Sequence, residues 1–231
     1  MRLMFKRVPQ VHQRLSSFSC LFAAVLLLPA PSFAMDAPLS EEAVRYAYFL
    51  GQRHGQDFTD LLAKYIKMLS MPESGPYISS ITFFTPFALV AQLSSQRGMN
   101  YSAQQAQQDH RKQEEFVRII IQIQLTPSYG TLIPRPTGSH SGSPIGYSLR
   151  PSDFWKDFQV EVLDKDKSLA PLTSSGTPNY ACDPDGGCIL VGATLQFDYP
   201  AKVLTSDSPN IRITPPEGEP VSVDFDLSTL R

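Results

Sequence analysis

The chain has 231 residues, with 20 Lys and Arg, 22 Asp and Glu, 20 prolines and three cysteines. Residues 1–34 hold four of the bases (Arg2, Lys6, Arg7, Arg14) and no acid, which leaves sixteen bases against twenty-two acids over 35–231, a net charge of −6. An acidic body with scattered bases argues against nucleic acid as a main partner. The apolar content argues against disorder, and no apolar run reaches the length of about 18 residues that a membrane span needs.

Residues 1–34 read as a secretory signal. The stretch is basic to Arg14 and apolar over Cys20–Leu28, then carries Pro29 and Pro31, with Ser32 and Ala34 three and one residues before a cleavage point. The expectation is a mature chain starting near Met35, in the periplasm or secreted, with no membrane span after cleavage.

Ser40–Leu69 reads as one long helix. Ser40 is placed to cap it, with Glu41 and Glu42 in the first turn. Val44, Tyr48, Gly51, Gly55, Phe58, Leu62, Tyr65 and Leu69 form a stripe at alternating spacings of four and three. The stripe packs on the protein's own core or docks on a second chain. Gly51 and Gly55 on that stripe call for close backbone approach. Met71–Pro76 ends the element.

Tyr77–Phe84 is strand-like. Thr85 and Pro86 then start a short helix to about Gln96. Ser102 caps a second, Gln-rich helix to about Glu114. Phe116–Leu125 follows as a strand, with Ile119, Ile121, Ile123 and Leu125 on one face and Arg118, Gln122 and Gln124 on the other. Pro127–Ser152 holds five prolines and four glycines and reads as a long loop.

The remainder reads as strands: Phe158–Leu163 up to the turn Asp164–Lys167, Ile189–Tyr199, Asn210–Thr214, and Val221–Leu227 with Val221, Val223, Phe225 and Leu227 inward. Cys182 and Cys188 flank Asp-Pro-Asp-Gly-Gly and are expected to close a hairpin as a disulfide. The expected fold is α+β: an antiparallel β-sandwich of about six or seven strands, with a long N-terminal helix and two short inserted helices. Its domains are a signal over 1–34, an N-terminal helical arm over 35–76 and a sandwich domain over 77–231, with the helical insertion at about 86–114.

No chemical motif assembles. Gly138-Ser-His-Ser-Gly142 centres on His140 where a nucleophile elbow needs serine. His54, His110 and His140 have no metal-ligand spacing, and a calcium loop starting at Asp183 would have Thr194 where it needs Glu. No catalytic, metal or cofactor residues are assigned. Residues of the Pro127–Trp155 segment (Tyr129, Arg135, His140, Tyr147, Trp155) form the candidate recognition loop, because aromatics and Arg anchor interfaces. Trp155 has a plainer alternative, as a plug at the end of the sandwich.

Three stretches carry a resemblance: Ile81–Gln92 (ITFFTPFALVAQ), Asn100–Asp109 (NYSAQQAQQD) with its following strand, and Val221–Arg231 (VSVDFDLSTLR). They resemble an uncharacterised family of exported bacterial proteins, which implies export and assigns no activity, cofactor or site. The function expected is a non-catalytic binding or structural module of the periplasm or cell surface, its partner another protein or an envelope component. The alternatives are an envelope-assembly subunit docking through the N-terminal helix, and a small secreted hydrolase whose site is assembled from distant residues.

Overall fold

The computed structural model describes residue 35 and residues 37–98, 100–136 and 145–230. The expected signal over 1–34 and the whole Gly138–Gly142 string, His140 included, lie outside the described residues. The described residues form an α+β fold with four α-helices and eleven strands, every pairing antiparallel.

Helix α1 (Glu41–Arg53) starts where expected: the Ser40 side chain accepts from the Ala43 amide, and Glu41 and Glu42 sit in the first turn. The single helix expected over Ser40–Leu69 is two helices and a strand. His54 takes the left-handed backbone, φ 47°, and Gly55 is extended, so the chain turns before α2 (Gln56–Lys64). Beyond α2, the short β1 (Ile66–Met68) pairs with β2 (Tyr77–Phe84). Sheet pairing there satisfies the backbone and overrides the helical periodicity: Phe83 N donates to Tyr65 O at 2.8 Å.

The two inserted helices are α3 (Pro86–Gln96) and α4 (Ala103–Lys112). Thr85 caps α3 with Pro86 at its first turn, and Ser102 and Gln105 form a reciprocal capping box on α4. Val44, Ala47 and Leu50 of α1 bury against Phe87, Ala91 and Ala106 of these helices. The α1 stripe therefore packs within the chain. At Gly51 the approach is so close that a Cβ would overlap the Ala91 carbonyl.

The largest sheet has the order β1, β2, β3 (Phe116–Gln124), β9 (Cys188–Pro200), β8 (Thr173–Cys182). A second has the order β11 (Val221–Asp224), β10 (Asn210–Thr214), β6 (Gln159–Asp164), β7 (Lys167–Leu169). β4 (Leu132–Pro136) and β5 (Ile145–Leu149) pair only with each other. Alternation along β3 sends Val117, Ile119, Ile121 and Ile123 into the core. There they join Ile81, Phe83 and Leu195 of the first sheet and Val162, Ile211, Ile213 and Val223 of the second. Phe83 stacks on Phe225, ring centroids 5.2 Å apart, where the sheets' side chains meet.

The eleven strands exceed the six or seven expected. β1, β4, β5, β7 and β8 are short, polar or proline-containing edge or hairpin strands. β7 forms because Lys165 and Asp166, both at positive φ, make a two-residue hairpin turn. Cys182 and Cys188 are partners in the β8–β9 register and are joined by a disulfide. Within that turn Asp183 Oδ1 accepts from the Gly187 amide. Among the described residues no helix is long and apolar enough to cross a membrane.

Candidate functional site

A cleft of 310 Å³ lies between α3, α4 and the start of β3. Its apolar lining comes from Leu89 and Leu93 of α3, Ala106 of α4 and Phe116 of β3. The capped starts of α3 and α4 fix the two helices, and the β2–β3–β9 register fixes the strand.

Polar groups at the rim are held by partners. Arg118 faces Asp198 directly across the β3–β9 pair; its Nε donates to Oδ1 at 2.7 Å and its Nη2 to Oδ2 at 2.9 Å. Thr173 Oγ1 also donates to Oδ2, at 3.3 Å. The guanidinium is therefore preset, and part of its charge is neutralised from behind. His110 Nε2 lies 2.8 Å from Glu115 Oε1, and the same oxygen accepts from the Leu39 amide at 2.7 Å. Glu115 thereby ties the segment before α1 to α4 and β3. Bound this way through Nε2, the imidazole keeps Nδ1 as its second polar atom.

At the other side Arg97 lies over the Tyr101 ring, 5.5 Å from its centroid. Tyr48 Oη donates to the Tyr101 carbonyl at 2.7 Å. Burial pushes the Tyr101 phenol above its ordinary value of 10.0, and the Asp109 carboxylate adds to the rise while Arg97 opposes it. Tyr101 stays protonated at neutral pH and acts as a donor toward Asp109.

The cleft thus offers an apolar floor between fixed charged and hydrogen-bonding groups of both signs, which suits a small molecule with an apolar body and polar ends. None of its lining residues is Ser, Thr or Cys, so the His110–Glu115 pair has no hydroxyl or thiol of those residues beside it in the cleft. A larger hollow of 600 Å³ lies between residues 69–78 and 215–221. Its charged lining residues are Glu73, Glu217 and Glu219, all on connecting loops.

The candidate recognition residues are dispersed. Tyr129 is buried in the core beside Phe154, with the Arg150 guanidinium 3.4 Å from its ring centroid. Burial raises its phenol pKa, against the lowering effect of Arg150. Trp155 is half-buried in a 3₁₀ turn over Gly176 of β8, where a Cβ would run into the indole. The indole therefore packs on β8, the edge strand of the largest sheet. Arg135 on β4 and Tyr147 on β5 are exposed. The long loop is in part a hairpin, β4 with β5, which pairs Pro134 with Tyr147 and Arg135 with Gly146.

Sequence reasoning missed the cleft. Arg118 read only as part of a wetter strand face, and Asp198 is eighty positions away. An Arg inside an isoleucine strand was the available signal, and its partner had none. No family model matches the chain, and neither a curated protein nor a solved structure does.

Proposed function

We propose that this chain is a non-catalytic binding module of the periplasm or cell surface, built as a two-sheet sandwich and taking a small molecule in the α3–α4–β3 cleft. The single observation behind this reading is the cleft's construction: an apolar floor flanked by Arg118, His110 and Tyr101, each already held by a protein partner. Groups preset in this way lose little freedom when a ligand arrives. The Cys182–Cys188 bridge supports an oxidising compartment, as do the signal-like first 34 residues and the resemblance to exported bacterial proteins.

The test uses protein-detected NMR with a panel of small carboxylates, amines and neutral amides. The expected result is that one class shifts resonances of residues 89–97 and 106–118, and that Leu93→Trp, which fills the mouth from a partly exposed position, abolishes the shift while leaving Tm unchanged. A shift that survives Leu93→Trp, or no shift from any class, removes the cleft from this reading. Turnover of generic ester, glycoside or peptide substrates that disappears in His110→Ala would instead support the hydrolase alternative.

A further inference from the structure

Opposite charges along the α3–α4–β3 cleft are already matched. Arg118 is bound to Asp198, Glu114 Oε1 accepts from Lys202 Nζ at 2.6 Å, and Glu115 is held by His110 and the Leu39 amide. Asp109 accepts from the Tyr101 hydroxyl, and Arg97 lies over the same ring. A ligand charge of either sign would shed water to meet a pair whose second member repels it. These walls favour an uncharged ligand.

Glutamines supply the polar groups that remain. Gln92, Gln96 and Gln113 line the cleft, and their side-chain amides are engaged by no ion pair or hydrogen bond among the described residues. Gln92 and Gln96 lie one turn apart on α3, with Leu89 and Leu93 beside them on the same helical face. Gln113 follows the last turn of α4, on the other wall. Each carboxamide offers two N–H donors and a carbonyl acceptor.

One functional group uses such walls fully. A carboxylate only accepts and an ammonium only donates, so either takes half of what a glutamine offers. A secondary amide does both, and its planar trans geometry points N–H and C=O in opposite directions. Laid between the α3 glutamines and Gln113, it meets one wall with each. Leu89 and Leu93, with Phe116 of β3, then receive an aliphatic group next to the amide. The volume of 310 Å³, at the lower end of the range for ligand pockets, suits a single unit of this kind.

We infer that the ligand of this cleft is an uncharged secondary amide with an aliphatic substituent, its N–H and C=O taken by the glutamines of the two walls and its substituent seated on Leu89, Leu93 and Phe116. The inference rests on the cleft being the binding site.

Protein-detected NMR titration with a matched series tests it. The probes are N-acetyl-L-leucine N-methylamide, which is neutral, N-acetyl-L-leucine, which ends in a carboxylate, L-leucine N-methylamide, which begins with an ammonium, and N-acetylglucosamine, whose amide is flanked by hydroxyls. The expected result is that the neutral leucine compound shifts residues 89–97 and 113–118 and binds at least about tenfold more tightly than either charged analogue and about tenfold more tightly than the sugar. Gln96→Met and Gln113→Met should each weaken it about fivefold. Both positions are exposed, so Tm should hold. Gln104→Met, at an exposed position of α4 outside the cleft, should leave binding unchanged. The inference is overturned if a charged analogue or the sugar binds as tightly as the neutral leucine compound, or if both glutamine variants bind as the parent does. In those cases the cleft remains the binding site as long as Leu93→Trp still abolishes the shifts. A cleft that responds to no probe removes the binding site and this inference together.

Discussion

Arg118 and Asp198 provide the sharpest test of the cleft's construction. Their side chains are 28% and 12% exposed, and two short charge-assisted hydrogen bonds join them across adjacent strands. Fully exposed pairs contribute about 0.2–1 kcal/mol, whereas hydrogen bonds to charged groups with limited solvent access contribute about 1.5–3 kcal/mol. The partial burial places the coupling at about 2 kcal/mol. Arg118→Met keeps the stem and removes the charge; Asp198→Asn keeps the shape and removes the charge. Each single variant should lose about 2–3 kcal/mol, because the surviving partner is left partly buried without its counter-charge. The double variant should lose about 2 kcal/mol less than the sum. Urea unfolding of the four proteins measures this, with unchanged m-values as the check on two-state behaviour. Repeating it in 1 M salt, where the screening length is about 3 Å, should preserve most of the coupling. A coupling below about 0.5 kcal/mol would refute the claim that this guanidinium is preset for the cleft.

Three further outcomes follow from other contacts. In an open helix Gly51→Ala would stabilise by about 1 kcal/mol; here the new methyl meets the Ala91 carbonyl, and overpacking of about 1–3 kcal/mol reverses the sign, so thermal melts should show a lower Tm. Burial raises the Asp164 carboxyl pKa, but donors from Ser206 and Thr205 outweigh it and hold the carboxyl below its ordinary 3.8. That stabilisation is fully present above about pH 4 and is lost as pH falls through the depressed value, so Asp164→Asn should lose about 1–3 kcal/mol at pH 7 and flatten the acid limb of the stability curve. Reduction of Cys182–Cys188 opens a short loop and should cost about 2 kcal/mol, read as a Tm shift with and without reductant.

What the sequence disclosed followed the range of its interactions. Ser40, Thr85 and Ser102 act on amides three residues away, and all three cap helices as read. The alternation of β3 and the strand at Asn210–Thr214 were legible because burial imposes a two-residue period on one stretch of chain. The break at His54 was not legible, since Gly51 and Gly55 satisfied the helical stripe, and the end of α2 shows only in the pairing of β1 with β2. β8 was hidden for a related reason. Its sequence, TSSGTPNYAC, is edge-strand polar, and its strand character comes from its partner β9 and from Trp155 filling the space over Gly176. Tyr129 and Tyr147 looked alike in sequence because both flank prolines and glycines. Tertiary contact alone separates a core tyrosine from an exposed one.

Strand β3 runs from the cleft toward the β4–β5 hairpin. Its first residues, Phe116 and Arg118, line the cleft, and its last lead through Thr126 to the foot of the hairpin. Thr126 Oγ1 donates to Gly75 O at 2.6 Å, and the Tyr129 amide donates back to Thr126 Oγ1 at 3.0 Å, so the strand's exit is as firmly held as its entry. Eight extended residues from Arg118 to Thr126 span about 25 Å. At that separation the sites share no side-chain partner, and substitutions at them should add without coupling. Leu132→Ser with Leu149→Ser should therefore leave cleft resonances unmoved, and its change in Tm should add to that of Leu93→Trp. Cleft resonances that move in the hairpin variant would require a conformational link through β3, which its paired neighbours β2 and β9 are built to resist.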